Sequence, residues 1–127
     1  MAELNISSNY LNINGVNTHY HEEGTGSETI ILIHGSGPGV SALANWRLVI
    51  PRLSESYRVL APDVIGFGET DKLADHNYNI ELWVEHLIGF IEKVADEPVY
   101  LVSNSFGGAL SLHIAYRRPD LVKKLIL

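Results

Sequence analysis

Two stretches of this sequence decide its fold: residues 30–39, Ile-Ile-Leu-Ile-His-Gly-Ser-Gly-Pro-Gly, and residues 99–108, Val-Tyr-Leu-Val-Ser-Asn-Ser-Phe-Gly-Gly. In each stretch, four mostly apolar residues lead directly into a turn of small residues. A short apolar run of this kind is typical of a strand that is covered on both faces, as the central strands of parallel sheets are. Ligands bind beyond the carboxyl ends of such strands. The sequence therefore predicts that two distant loops meet at one edge of a sheet.

The second turn has the pattern of a nucleophile elbow, a sharp strand-to-helix turn that exposes a serine hydroxyl. Ser105 would be the nucleophile, and the small residues Gly107 and Gly108 would allow the following helix to pack closely. Ser103 stands where the usual pattern has glycine, which is a mild departure. The alternative is that Ser105 merely caps the helix that begins at Phe106, as serines often do.

The first turn would supply half of an oxyanion hole. A tetrahedral intermediate carries charge on an oxygen that preorganised N–H groups must stabilise. The expected donors are the backbone amides of Ser36 and Phe106. His34 precedes this loop at a strand end, so we expect it to hydrogen-bond the loop backbone rather than act as general base. The loop has neither the Lys-Ser/Thr of a P-loop nor a dinucleotide fingerprint, so no cofactor is expected.

Periodicity predicts alternating strands and helices. Asn14 and Gly15 tolerate positive φ and suit a two-residue hairpin turn. Strands are predicted at residues 10–13, 16–21, 30–33, 57–61, 99–102 and 121–127. Helices are predicted at residues 80–95, at 42–53 with Pro51 bending or shortening its end, and after Ser105 as far as Arg117 or Arg118. The fold class is therefore α/β, an antiparallel hairpin followed by a mostly parallel sheet with helices on both faces.

Composition limits the classes of function. With 127 residues the chain is long enough for one domain, residues 1–127, although a doubly wound hydrolase is usually about twice as long. The absence of cysteine excludes a disulfide scaffold and a thiolate nucleophile. A formal charge of −6 without a basic run argues against nucleic acid or an anionic membrane as a partner. Residues 1–5 do not resemble a signal peptide and no apolar run approaches ~20 residues, so we expect a cytoplasmic protein.

The motifs together resemble one family, the meta-cleavage-product hydrolases, serine-dependent α/β-hydrolases that split carbon–carbon bonds in 2-hydroxy-6-oxo-dienoates. The resemblance runs through residues 34–39, 44–47, 61–68 and 104–108 and covers nearly the whole chain from about Tyr10. It implies that Ser105 is the nucleophile and that Ser36 and Phe106 form the oxyanion hole. It also implies that Gly35, Gly37, Asn45 and Asn104 bind the small-molecule substrate.

Several other polar residues are expected to have structural roles. Asp63 precedes the serine and is expected to bond nearby backbone amides in a turn. His86 and His113 lie on predicted helices as packed or surface residues. Asn45 could equally bond a helix start. His19 and His21 share a strand face, but further ligands are not evident and no metal is predicted.

The acid and histidine of the triad follow the serine in this fold, and the family's lid and acid-plus-histidine half have no counterpart before Leu127. We therefore expect the catalytic activity of these 127 residues alone to be absent or weak. A carboxylesterase or thioesterase on the same scaffold is one alternative. A non-catalytic half-domain is the other, which would form a homodimer through the sheet edge at residues 123–127.

Overall fold

A computed structural model describes residues 5–74 and 78–127 of the chain, so most of the N-terminal segment discussed above, Met1 to Leu4, lies outside the described residues. The strands are β1 (Asn9–Ile13), β2 (Val16–Glu23), β3 (Thr29–Ile33), β4 (Arg58–Pro62), β5 (Val99–Ser103) and β6 (Val122–Ile126). The helices are α1 (Ala42–Trp46), α2 (Ile50–Leu53), α3 (Ile80–Val94) and α4 (Phe106–Arg117), and a 3-10 turn, Pro119–Leu121, precedes β6.

The six strands form one mixed sheet in the order β1-β2-β4-β3-β5-β6. β1 pairs with β2 and β2 with β4 in antiparallel fashion, while the other three pairings are parallel. Asn14 and Gly15 close the first hairpin with φ angles of 51° and 86°, both positive as a primed two-residue turn requires. The predicted fold class is confirmed.

Each face of the sheet has its own hydrophobic core, because side chains alternate along a strand. Ile31 and Ile33 of β3 pack with buried residues of α3 and α4 on one face. Ile30 and Leu32 pack with Ala42, Trp46 and Ile50 of α1 and α2 on the other. The central strands are thus covered on both sides, which explains their continuous apolar runs.

The predicted helix over residues 42–53 is wrong as a single element. α1 ends at Trp46, and α2 begins only at Ile50, with Pro51 in its first turn. Pro51 has no N–H and its ring crowds the carbonyl four residues earlier, so an unbroken helix is unfavourable. The amide of Val49 turns back to Trp46 O instead. The last strand is also shorter than predicted, because Leu121 belongs to the 3-10 turn.

An apolar groove of about 580 Å³ lies on the α1–α2 face of the sheet. Trp46, Leu53, Tyr100, Val102 and Ile126 are among its lining residues. The indole nitrogen of Trp46 is buried and makes no hydrogen bond to a described residue. Across residues 5–74 and 78–127, no helix has the length and hydropathy that crossing a membrane requires.

Candidate active site

Ser105 occupies a strained turn between β5 and α4. Its backbone angles, φ 53° and ψ −115°, lie in a region that residues other than glycine rarely adopt. The Ser105 side chain makes no capping hydrogen bond, and the residue is exposed. These observations contradict the alternative in which Ser105 only caps the helix. The turn presents its hydroxyl at the carboxyl edge of the sheet, as a nucleophile elbow does.

Close packing behind the serine requires glycine at position 107. A Cβ on Gly107 would lie 2.5 Å from the carbonyl oxygen of Ile33 and 2.6 Å from that of His34. Real Cβ atoms essentially never come within 3.0 Å of another heavy atom. The absence of a side chain here lets the start of α4 lie against the end of β3.

Ser103, at the position where glycine is usual, has a structural role. Its hydroxyl is buried and hydrogen-bonds the hydroxyl of Ser111, one turn into α4. This pair ties the end of β5 to the helix that follows. The sequence alone did not predict this hydrogen bond, because it forms only when the turn between β5 and α4 brings the two serines together.

The loop after β3 and the elbow lie side by side. The amide of Asn104 donates to Ile33 O at 3.2 Å, and a Cβ on Gly35 would lie 3.6 Å from the Cβ of Ser105. Within the described part of the chain, the amides of Ser36 and Phe106 donate no hydrogen bond. Two free N–H groups on the turns flanking Ser105 can stabilise an oxyanion.

His34 fastens the first loop to the turn after β4. Its Nδ1 lies 2.6 Å from Gly35 O, and its Nε2 lies 3.0 Å from the amide nitrogen of Val64. A carbonyl can only accept and an amide can only donate, so Nδ1 carries the proton and Nε2 accepts. Burial lowers the pKa of His34 and favours this neutral form. His34 bonds the backbone, as the sequence predicted.

Asn45 also holds the loop. Its Oδ1 accepts a hydrogen bond of 2.8 Å from the amide of Gly35 and lies 3.5 Å from Nδ2 of Asn104. The start of α1 is capped instead by the hydroxyl of Ser41, which accepts from the amide of Ala44. The helix-start reading of Asn45 is therefore wrong. One amide side chain connects the loop to the elbow.

Aromatic rings enclose one side of the elbow. Phe106 lies edge to face with Trp83 at 5.0 Å between ring centroids, and Phe67 lies 6.4 Å from Phe106 and 5.2 Å from His34. Sequence reasoning did not assign Phe67 or Trp83 to the site. The position of Phe67 after β4, at the same edge of the sheet, could have suggested that it lies near the site. Trp83 contacts the elbow only because of the way α3 packs, which the sequence does not show.

Asp63 bonds backbone amides, as predicted. Its carboxylate accepts from the amides of Ala42 at 2.7 Å and Glu69 at 2.9 Å. It also pairs with Nδ1 of His19 at 2.8 Å, a partnership that the sequence analysis missed. The sequence does not specify this pair, because His19 lies in the middle of β2 and Asp63 directly follows β4.

Two further histidines of the described residues, His86 and His113, make no hydrogen bond to Ser105. His86 is buried against the hydroxyl of Thr18, with Nε2 to Oγ at 2.8 Å, and burial lowers the pKa of His86 to about 4. His113 is exposed on α4. Both match the packed and surface positions predicted for them. Among the described residues, no three His, Cys, Asp or Glu side chains are grouped to hold a metal ion.

Comparisons with known proteins identify a matching family and similar sequences. The family model described as alpha/beta hydrolase fold matches residues 28–127. The 2-hydroxymuconate semialdehyde hydrolase of Pseudomonas sp. strain CF600 is 48% identical over 113 residues, which are 89% of this chain and 40% of that protein. The 2-hydroxy-6-oxo-2,4-heptadienoate hydrolase of Pseudomonas putida F1 is 50% identical over 113 residues, 89% of this chain and 41% of that protein.

A solved structure shows the same arrangement of the backbone. The meta-cleavage product hydrolase from Pseudomonas fluorescens IP01 superposes with a TM-score of 0.87 at 47% identity, covering 92% of this chain and 43% of that chain. An epoxide hydrolase from Vigna radiata also superposes, with a TM-score of 0.85 at 27% identity, covering 94% of this chain and 38% of that chain. The chain thus spans about 40% of the length of the curated relatives it matches.

Proposed function

This chain belongs to the alpha/beta hydrolase fold family, and on that premise we propose that it carries the nucleophile and oxyanion hole of a serine hydrolase acting on 2-hydroxy-6-oxo-dienoates. The observation that carries the proposal is the elbow at Ser105, whose φ of 53° is maintained beside two amides that donate no hydrogen bond to a described residue. Strain of this kind is kept where the surrounding structure over-determines it, often at functional sites. The substrate class is that of the similar hydrolases.

In the proposed reaction, attack on the 6-oxo carbon places negative charge on its oxygen. The amides of Ser36 and Phe106 stabilise that charge, and losing one such donor typically costs about 3 kcal/mol of activation free energy. The bond between C5 and C6 of the 2-oxo tautomer then breaks, and its electron pair passes into the dienolate of the leaving fragment. Water releases the acyl group from Ser105 as a carboxylic acid. Ser105 needs a base, and no histidine among the described residues hydrogen-bonds its hydroxyl. We assign the triad histidine and acid to the part of the relatives that this chain does not span.

We propose that Gly35, Gly37, Asn45 and Asn104 line the substrate position. Gly37 has a φ of 129°, and no atom of the described residues lies within 4 Å of the position where a Cβ would be, so the loop is open there. The Oδ1 of Asn45 accepts a hydrogen bond from the Gly35 amide. The Nδ2 of Asn45 and the exposed side-chain amide of Asn104 can then donate to the dienoate carboxylate. Residues 1–127 then form part of one hydrolase domain.

A hybrid protein tests the proposal. Residues 1–127 would be joined to the remainder of the 2-hydroxymuconate semialdehyde hydrolase and assayed on dienoate ring-fission products and on p-nitrophenyl esters. We expect dienoate turnover that Ser105→Ala abolishes, while Ser103→Ala retains it because Ser103 faces Ser111. Turnover of esters without dienoates would refute the dienoate assignment, and loss of that ester turnover in Ser105→Ala would favour a carboxylesterase or thioesterase.

We also propose that the isolated chain forms a homodimer through β6. β6 is an edge strand of the described sheet, paired only with β5, and its apolar Ile126 is 54% exposed. Unpaired edges of this kind associate with other strands. Sedimentation of the 127-residue chain should show a dimer, whereas a monomer at high concentration would refute the pairing.

A further inference from the structure

A second serine lies against a histidine, outside the site described above. The register of the first hairpin places Tyr10 opposite His19, so the residues Ser8 and Tyr10 share a strand face with His19 and His21. On that face the hydroxyl of Ser8 hydrogen-bonds Nε2 of His19.

The same histidine is oriented from its other side by a buried carboxylate. Nδ1 of His19 lies 2.8 Å from Oδ2 of Asp63, and the two side chains are 7% and 2% exposed. The amides of Ala42 and Glu69 fix Asp63 in turn. A carboxylate on Nδ1 keeps the proton there and leaves Nε2 as the acceptor for the serine hydroxyl.

This chain of contacts opens onto solvent. Ser8 is exposed, and with His19, His21, Ser41 and Asp63 it lines a cavity of about 340 Å³ between the hairpin and the start of α1. Ser8 has one hydrogen-bond partner among the described residues, which is His19. The hydroxyl is therefore both accessible and paired with a base.

We propose that Ser8, His19 and Asp63 form a second reactive-serine site that accepts acyl groups from esters with good leaving groups. Nucleophile, base and orienting acid are recognised by geometry, not by sequence order. Ser8 Oγ bonds to the ester carbonyl carbon as its proton passes to His19 Nε2. The bond to the leaving oxygen breaks, and a phenolate departs with the electron pair.

A water molecule completes the cycle. After acylation, His19 Nε2 releases the serine proton to solvent and is again neutral. It then takes a proton from the water that attacks the acyl-serine, and it returns this proton to Ser8 Oγ as the acyl–oxygen bond breaks and the carboxylic acid is released. Ser8 supplies the nucleophile, His19 supplies the base, and Asp63 orients His19. Aryl esters, whose leaving groups need no protonation, suit such a site better than amides or alkyl esters.

A fluorophosphonate probe on the 127-residue chain, followed by peptide mass spectrometry, tests the proposal. In this reaction Ser8 Oγ bonds to phosphorus, fluoride leaves, and His19 takes the proton. General-base assistance is worth about 100-fold or more, so Ser8 should be labelled about 100-fold faster than the neighbouring Ser7. Ser7 is a matched internal control because its hydroxyl bonds the carbonyl of Glu22 instead of a base.

Variants separate this site from the elbow. Ser8→Ala and His19→Gln should remove the adduct on residue 8, whereas Ser105→Ala should leave it unchanged. p-Nitrophenyl acetate hydrolysis should fall in Ser8→Ala and His19→Gln and should stay unchanged in Ser7→Ala. Equal labelling of Ser7 and Ser8 in the unmodified chain would overturn the proposal without reliance on any variant that fails to fold. Labelling of Ser8 that survives His19→Gln in a folded protein would also overturn it.

Discussion

Replacing Gly107 by alanine is the most direct test of the packing behind Ser105. The new Cβ would lie 2.5 Å from the carbonyl oxygen of Ile33, and at least about 0.5 Å of movement is needed to reach the closest distance real Cβ atoms show. The obstructing atoms are backbone at the end of β3, so the start of α4 must move instead. Overpacking of this kind costs about 1–3 kcal/mol.

Gly108→Ala is the matched control on the next residue of the same helix. Among the described residues, a Cβ there meets only the side chain of Leu127, at an ordinary contact distance of 3.5 Å. Alanine within a helix is more stable than glycine by about 0.5–1 kcal/mol. Gly108→Ala should therefore be neutral or stabilising, although it introduces the same methyl group.

Urea unfolding followed by circular dichroism measures both changes. With an m-value of about 2 kcal/mol/M, Gly107→Ala should lower the urea midpoint by about 1 M, and Gly108→Ala should leave it equal or higher. In the hybrid hydrolase, Gly107→Ala should also reduce turnover because it displaces the Phe106 amide. Equal midpoints for the two variants, or a reversed order, would refute the contact between α4 and the end of β3.

Three further measurements test other parts of the structure. Burial lowers the pKa of His86 to about 4 in the folded chain. Between about pH 6.5 and pH 4 the unfolded chain therefore binds more protons than the folded chain. The free energy of unfolding should fall by up to about 3 kcal/mol as the pH decreases across that window. Urea titrations should show this in the unmodified chain and in His113→Gln, but not in His86→Leu; an unchanged slope in His86→Leu would assign the effect to other groups. Asn45→Ala should destabilise the chain by about 1–3 kcal/mol in urea because it leaves the Gly35 amide unpaired, whereas Asn45→Asp keeps the acceptor and should lose less. Gly15→Ala should lower the free energy of unfolding by about 1 kcal/mol, measured by thermal unfolding, because of its φ of 86°, since no atom of the described residues lies within 4 Å of the new Cβ. A stabilised variant would contradict the turn.

The fold was predictable where one strong local signal decided the structure. Apolar runs placed β3 and β5, and the Asn14-Gly15 dipeptide placed the first hairpin, because both signals are complete within a few residues. The break between α1 and α2 was not predicted, since the position at which Pro51 interrupts a helix depends on how Trp46 and Ile50 both reach the sheet.

The candidate site was predictable in its backbone and less so in its supporting contacts. Ser105 and the loop at Gly35 follow from strand ends, whose meeting at one edge is a property of parallel sheets. The bonds from Asn45 to Gly35 and from His19 to Asp63 join residues 10 and 44 positions apart. Such pairs depend on side-chain directions that only the assembled sheet defines.

The groove beside Trp46 has a practical consequence for spectroscopy. The chain contains two tryptophans, and they lie on opposite faces of the sheet: Trp83 donates its indole N–H to Ile65 O, while the indole N–H of Trp46 has no acceptor among the described residues. Any molecule or segment that fills the groove will change the surroundings of Trp46 and leave those of Trp83 unchanged. The emission of a Trp83→Phe variant therefore reports occupancy of that face, and a Trp46→Phe variant supplies the reference signal.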